Sequence, residues 1–261
     1  MTSVQRIRSQ RWLLPLVGRG CTLLIWEATI RLGIIRSLFL PSPSAVFLAL
    51  TRNFEYLLFS AAITMRDIAI GYIVGCAAGV TLGILIGYYR WLNLAVSPLL
   101  LILSPIPIVT FLPLFIIWFG LNQLPVLACG FIGSFFPSLM STISGVKNVD
   151  YSWIEVARNF GATNKQILRT VIIPVALPQI ANGLRLSIQL CFLITPVAEM
   201  IMGHTGLGGL IWRSADLFKT DLVLLGQLTL GLLGLVIYKI FDFIENRFLL
   251  PWRLVKNSNG N

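Results

Sequence analysis

The chain has 261 residues, of which 56% are hydrophobic and only 11% charged, with a formal net charge of +10, and its mean hydropathy is +0.84. Soluble domains carry roughly 25% charged residues, so the composition excludes a water-soluble globule and describes an integral membrane protein, which the helix-length apolar runs below predict to be all-α. The basic residues stand singly at the ends of apolar runs, which excludes a nucleic-acid-binding face and fits the positive-inside bias of membrane proteins.

A crossing helix needs about 20 apolar residues, and the sequence predicts about six, in one membrane domain over residues 13–246 with short tails at 1–12 and 247–261. The first span, Leu13 to Gly33, is interrupted by Arg19 and Glu27. These lie two helical turns apart on one face, where they face protein or reach toward the two interfaces, because ionisable groups turned to lipid are costly. If this segment does not cross, the N-terminus changes side and the rest stays in place. Leu40-Pro41-Ser42-Pro43-Ser44 then breaks the chain, and Ala45 to Phe59 reads as a short amphipathic helix outside the core or in the interface.

The second span, Ile68 to Tyr89, carries Gly71, Gly75, Gly79, Gly83 and Gly87 at every fourth position. That stripe is a face for close helix packing, with a substrate groove as the alternative. The third, Leu94 to Phe119, contains Pro98, Pro105, Pro107 and Pro113 and must kink or unwind where protein or a cavity takes up the freed backbone groups. Ser104-Pro105-Ile106-Pro107 is therefore either a pathway lining or a packing kink. Further spans follow at Leu124 to Val146, Leu184 to Met202 and Leu222 to Phe241.

Six crossings put both termini on one side. Arg6, Arg8, Arg11, Arg90, Lys147, Arg158, Lys165, Arg169, Arg185, Lys239, Arg247, Arg253 and Lys256 then share a face, against Arg31, Arg36, Arg52, Arg66, Arg213 and Lys219 on the other. The positive-inside rule makes the richer face, with both tails, cytoplasmic.

Between the fourth and fifth spans lies one polar island, Lys147 to Arg185. Ser152-Trp153-Ile154-Glu155 fits a capping box starting a short helix at Ser152, and Gly161 fits a C-terminal cap. A second helix from Asn164 places Ile167, Leu168, Val171 and Ile172 at helical spacing, and Pro174 with Pro178 should interrupt the return to the membrane. The expected product is a cytoplasmic helical hairpin over residues 147–183, able to move as a rigid body against a partner.

Glu155-Val156-Ala157, then Gly161-Ala162 and Val171-Ile172-Ile173-Pro174, resemble the EAA loop of ABC-importer permeases, where an ATPase subunit grips the channel subunit. The likeness extends to Ser104-Pro105-Ile106-Pro107 through Pro113-Leu114, Trp118-Phe119-Gly120, Ala198-Glu199-Met200-Ile201, Gly206-Leu207-Gly208 and Leu250-Pro251-Trp252. Over roughly residues 40 to 253 the chain is similar to the nitrate, sulfonate, taurine and bicarbonate branch. Val156 departs from the usual second Ala, and Val171 and Ile173 from the usual Ile and Leu. The resemblance implies a type I importer: two permease copies in a homodimer, cytoplasmic ABC ATPases that use ATP and Mg, and a periplasmic or lipid-anchored solute-binding protein. The family setting is a bacterial inner membrane.

No G-x-x-x-x-G-K-[ST] occurs, so no catalysis and no bound cofactor are expected of this chain itself. Cys21, Cys76, Cys129 and Cys191 are scattered through apolar segments, without disulfide or metal spacing. His204, the single histidine, is expected to be a surface residue without a metal. His204-Thr205-Gly206-Leu207-Gly208-Gly209 is expected to form a re-entrant or surface turn where the solute-binding protein docks. Ser104, Pro105, Pro107, Thr110, Ser134, Ser138, Gln189 and Thr195 are the candidates for lining the translocation path. Glu199, at the outer end of the fifth span, either shapes the external mouth or is a helix-end carboxylate held by water or a donor such as Arg213. An intramembrane enzyme would need clustered nucleophiles, acids or metal ligands inside the membrane, whereas the ionisable groups in the spans read as few and unclustered. An ion-coupled transporter would show inverted repeats and midplane carboxylates, and the sequence shows neither.

Overall fold

The computed structural model describes residues 18, 20–203 and 205–244, and within them the ordered elements are helical. Arg19, His204, both tails, the start of the first predicted span and Leu250-Pro251-Trp252 lie outside the described residues. The described part of the first span is helical over 20–31 and forms α1. Helix α2, Pro43–Arg52, starts at Ser42, whose hydroxyl accepts from the Ala45 amide. The predicted helix through Phe59 ends earlier: Asn53 caps α2 at Arg52, and Phe54 opens the 35-residue α3, Phe54–Tyr88. The second span is thus longer than its glycine-rich half suggests.

The proline-rich third span is not one kinked helix. Helix α4, Arg90–Leu103, stops at Ser104, a short 3-10 turn covers Ile108–Phe111, and α5, Leu112–Phe119, leaves at 92° to α4. Pro105 and Pro107 lack the donors a continuous helix would require and hold the elbow open. Helix α6 spans Leu124–Lys147, with Pro125 near its first turn, where a missing N–H costs nothing. The hairpin helix α7 is Tyr151–Asn159 and α8 is Asn164–Ile167. A π-turn over Leu168–Ile172 joins α8 to α9, Ile173–Met202. Last come α10, Gly206–Asp216, and α11, Thr220–Ile244.

Pro174 and Pro178 do not interrupt the fifth span. Asn164–Met202 is one helical rod of 39 residues, in which the widened π-turn before Pro174 absorbs the missing backbone donor.

The glycine stripe sets the core. A methyl group on Gly71 would lie 2.9 Å from the Gly130 backbone; on Gly75, 2.5 Å from the Phe131 carbonyl oxygen; on Gly79, 2.7 Å from that of Phe135. On Gly83 and Gly87 it would meet Thr142 Cβ at 2.6 Å and Val146 Cβ at 2.7 Å. The stripe is therefore a packing face against α6, close enough that any side chain would separate the backbones. Partner numbers rise together, so α3 and α6 run parallel. The α4–α5 elbow must then carry the chain back across the bundle between them. The opposite face of α6 packs antiparallel on α9, with Gly130 near Thr195 and Gly145 near Ala176 and Gln179. Arg185 of α9 pairs with Asp242 of α11 at 3.1 Å, so α11 runs antiparallel to α9. Among the described residues four helices, α3, α6, the Asn164–Met202 rod and α11, are long and apolar enough to cross a membrane, five spans if the bent α4–α5 pair counts as one, and residue 244 finishes at the end of the bundle that carries the hairpin.

Three of the four cysteines are buried as the sequence suggests, at Cys76, Cys129 and Cys191, whereas Cys21 is exposed.

Candidate functional site

The hairpin is built from two caps that the sequence motifs place differently. The first helix is capped by Asp150, not by a Ser152–Glu155 box: the Ser152 amide donates to Asp150 Oδ1 at 2.9 Å and the Ser152 hydroxyl donates to the same oxygen. These bonds hold the Asp150 carboxyl below the ordinary carboxylate range. The true capping box lies at Thr163 and Gln166: the Gln166 amide donates to Thr163 Oγ1 at 3.4 Å and the Thr163 amide to Gln166 Oε1 at 2.8 Å.

Gly161 terminates α7 as expected. Its φ is +81°, its amide donates to the Arg158 carbonyl at 2.9 Å, and the Ala162 amide reaches back to the Ala157 carbonyl at 3.1 Å. That pair of bonds is a Schellman motif. Ala157 and Ala162, with Ile154, Ile167, Leu168, Val171 and Ile172, pack onto Val146, Val149, Ala176 and Ile180 and onto Ile84 and Tyr88 of α3. The knob is thus bolted to the ends of α3, α6 and α9. Its other face carries Trp153, Val156 and Phe160, all exposed, Phe160 at 88%. Spaced three and four apart, they form one apolar stripe with Glu155 exposed beside it.

At the far end of the bundle a polar cluster appears that the sequence did not suggest. Glu199 is fully buried; its Oε2 accepts from the Thr64 hydroxyl at 2.8 Å and from the Gly208 amide at 3.0 Å. Thr64 Oγ1 in turn accepts from the Leu207 amide at 2.8 Å. Two side chains from α3 and α9 therefore satisfy the first amides of α10, whose own cap Thr205 makes no side-chain capping bond. Arg213, named above as a possible donor, instead bonds the Gly203 carbonyl at 3.0 Å and the Tyr56 hydroxyl. Close by, Asp67 is fully buried and accepts from Arg66 at 2.9 Å and from Gln123, and Gln123 Oε1 accepts from Thr205 at 3.0 Å. Ionisable groups within the spans are thus clustered, contrary to the expectation from the sequence. The hint lay in the adjacent charges Arg66-Asp67 inside an apolar run. Nor is Gly206-Leu207-Gly208-Gly209 a surface turn: all four residues are buried, as the start of α10. A side chain on Gly206 would overlap the Glu199 carboxyl, and one on Gly208 would lie 2.7 Å from Glu199 Cβ.

With hairpin and bundle described, sequence comparison supplies the deciding observation. Residues 79–249 match the model of the binding-protein-dependent transport system inner membrane component family. The chain belongs to that family. It is 33% identical over 255 residues to an ABC transporter permease protein of Methanocaldococcus jannaschii, covering 95% of each chain. It is 30% identical over 248 residues to an aliphatic sulfonates transport permease protein of Bacillus subtilis, covering 93% of this chain and 88% of the relative. The bundle also superposes on an inward-facing structure of the MetNI methionine ABC transporter, with a TM-score of 0.60 at 19% identity, over 74% of this chain and 95% of that one. The fold is that of a type I importer permease, and the protein is the membrane-spanning permease subunit of an ABC importer, a class that works with ATPase and solute-binding partners.

In this permease the path candidates do not form one surface. Ser104, Pro105 and Pro107 are exposed at the elbow, where Ser104 joins Ile106, Phe136, Met140 and Leu190 around a cleft of about 220 Å³. Thr110 is exposed nearby, its hydroxyl donating to the Pro107 carbonyl at 2.6 Å. Gln189 faces α11 in a small separate cleft with Phe192 and Tyr238. Ser134, Ser138 and Thr195 are fully buried. The Ser134 hydroxyl lies 2.9 Å from the Gly71 carbonyl and 2.7 Å from that of Gly130, bridging α3 and α6. Of the hairpin residues, Glu155, Val156, Gly161 and Pro174 are exposed, while Ala157 and Ala162 are half-buried.

Proposed function

We propose that the hairpin is the handle by which a separate cytoplasmic ATPase drives this permease. The observation that carries this reading is the exposed stripe Trp153, Val156 and Phe160 on a knob whose other face is packed into α3, α6 and α9. A force applied to the stripe reaches three crossing helices at once, whereas a loose loop would absorb it. In this reading the hairpin and both tails are cytoplasmic, two copies of the permease form a homodimer, and a solute-binding protein delivers cargo to the opposite face. ATP and Mg are bound by the motor chains, and this subunit is non-catalytic and holds no cofactor, in keeping with the missing phosphate-binding loop in its sequence.

Within the same reading, Ser104, Pro105 and Pro107 contribute the wall of the path at the elbow, and Gln189 contributes from α9. Ser134 and Thr195 shape it from behind by fixing helix spacing, and Glu199 controls the outer mouth through the start of α10. The cargo is a small oxyanion or organosulfur acid, a reading supported by the sulfonate transport named for the Bacillus subtilis relative.

Co-purification of the permease with its ATPase tests the handle. Replacing Trp153 and Phe160 together with Ser should release the ATPase while the permease still inserts; unchanged co-purification would refute the handle. Calorimetric binding of sulfonates, taurine, nitrate and bicarbonate to the cognate solute-binding protein tests the cargo.

A further inference from the structure

At the hairpin end of the bundle, the last turns of α3 and α6, the first turn of α4 and the inner edge of α7 enclose a cleft of about 870 Å³. Arg90, Lys147 and Arg158 line it, with Tyr88, Tyr89 and Tyr151, and no Asp or Glu is among its lining residues. None of the three cations forms an ion pair among the described residues; Lys147 donates to the Asn93 side-chain oxygen at 3.2 Å. A second groove of about 290 Å³ begins at Asn93 and Lys147, which both cavities share; Ser97, Ser144 and Asn148 line it within about a turn of those two residues, and it runs on between α4 and α6 past Leu100, Leu101, Met140 and Ile143.

We infer that this double cavity binds an anionic phospholipid. A cationic basin at the ends of crossing helices suits a phosphate headgroup, and a groove rising from it along two apolar helices suits an acyl chain. Neither half alone has that shape. The tyrosines and the exposed Trp91 beside Arg90 sit where aromatic side chains settle at a membrane interface. Each Lys or Arg near an anionic bilayer surface adds measurable attraction, and basic pockets between crossing helices on the cytoplasmic side take anionic headgroups. The assignment of the leaflet rests on the hairpin being cytoplasmic. Because the basin includes Tyr151, Ile154 and Arg158 of α7, the lipid would brace the hairpin from behind, opposite its exposed stripe.

Native mass spectrometry of the full-length purified permease, titrated with phosphatidylglycerol, phosphatidylcholine or inorganic phosphate, tests the site. Phosphatidylglycerol should be retained, phosphatidylcholine should not, and inorganic phosphate should not compete, because it lacks the chain. The double variant R90Q/R158Q should bind phosphatidylglycerol at least about tenfold more weakly, and Met140→Trp, which fills the groove, should weaken it without changing charge. R90K/R158K, which keeps the charge, should retain binding and shows that the positions tolerate substitution. Equal retention of the two lipids, or undiminished binding in both R90Q/R158Q and Met140→Trp, would overturn the inference. So would competition by inorganic phosphate, which would mark a free-anion site. If lipid binds as described while a cysteine at position 155 reacts from outside the cell, the lipid site stands and the cytoplasmic handle falls.

Discussion

A methyl group on Gly161 would meet no atom within 4 Å, so this position is constrained by conformation rather than by space. At φ +81° a residue with a Cβ pays about 1–2 kcal/mol, and the turn that aims α7 would re-form at another angle. Gly161→Leu should insert normally yet lose ATPase association and uptake, whereas Gly161→Asn, whose side chain tolerates this region, should keep most of both; normal uptake by the Leu variant would contradict the coupling role. Asp150 makes a pH prediction. Its folded-state carboxyl titrates below the ordinary range because Ser152 donates to it twice. The stabilisation is fully present above the unfolded-chain pKa and is lost only as pH falls through the lowered folded value. ATPase binding near neutral pH should therefore be indifferent to this group, and Asp150→Asn, itself a good cap, should bind as wild type in the same co-purification. At the other end, Glu199→Ala would leave the Thr64 hydroxyl and the Gly208 amide buried without their acceptor, at about 1–3 kcal/mol per group. Thermal unfolding in detergent should show a fall of several degrees, with Glu199→Gln losing less because it keeps an acceptor oxygen in place.

Between elements, the glycine stripe of α3 is the joint on which the bundle depends. Gly79→Leu would drive a side chain into the Ser138 hydroxyl and the Phe135 carbonyl and should cost at least about 1–3 kcal/mol, lowering folded yield and melting temperature. Gly231→Leu on α11, where nothing lies within 4 Å, is the control and should be nearly silent; similar losses in both would show that the stripe is not special. This joint was legible in the sequence because a fixed period of four puts residues on one helix face whatever the tertiary context. The hairpin caps were only partly legible. Asp150 and Ser152 are both capping residue types, and Asp150 takes the role at α7 because its carboxylate accepts both the Ser152 amide and the Ser152 hydroxyl. The continuous rod through Pro174 was not legible, since a π-turn is a shift of hydrogen-bond register with no residue signature. The 92° elbow was legible only as a break, because prolines remove donors but do not state an angle.

For the whole molecule, the apolar runs that become α3, α6, α9 and α11 are legible in the sequence, but the long-range contacts between them are not. Thr64 and Glu199 lie 135 residues apart, and Gln123 joins Asp67 to Thr205 across three loops and helices; single apolar runs carry no record of which helix ends meet. What the packing does fix is that the hairpin and the Glu199 cluster sit at opposite ends of α3, α6 and α9; under the proposed function, a motor on the hairpin would act on the far end through those rods. The most direct measurement of this arrangement is the reactivity of a single cysteine at position 155, placed in a chain whose four native cysteines are replaced. In intact cells a membrane-impermeant maleimide should leave it unlabelled, and in inverted membrane vesicles the same reagent should label it unless the ATPase is bound. Labelling in intact cells would put the hairpin on the outer face, beyond the motor's reach, and would contradict the account.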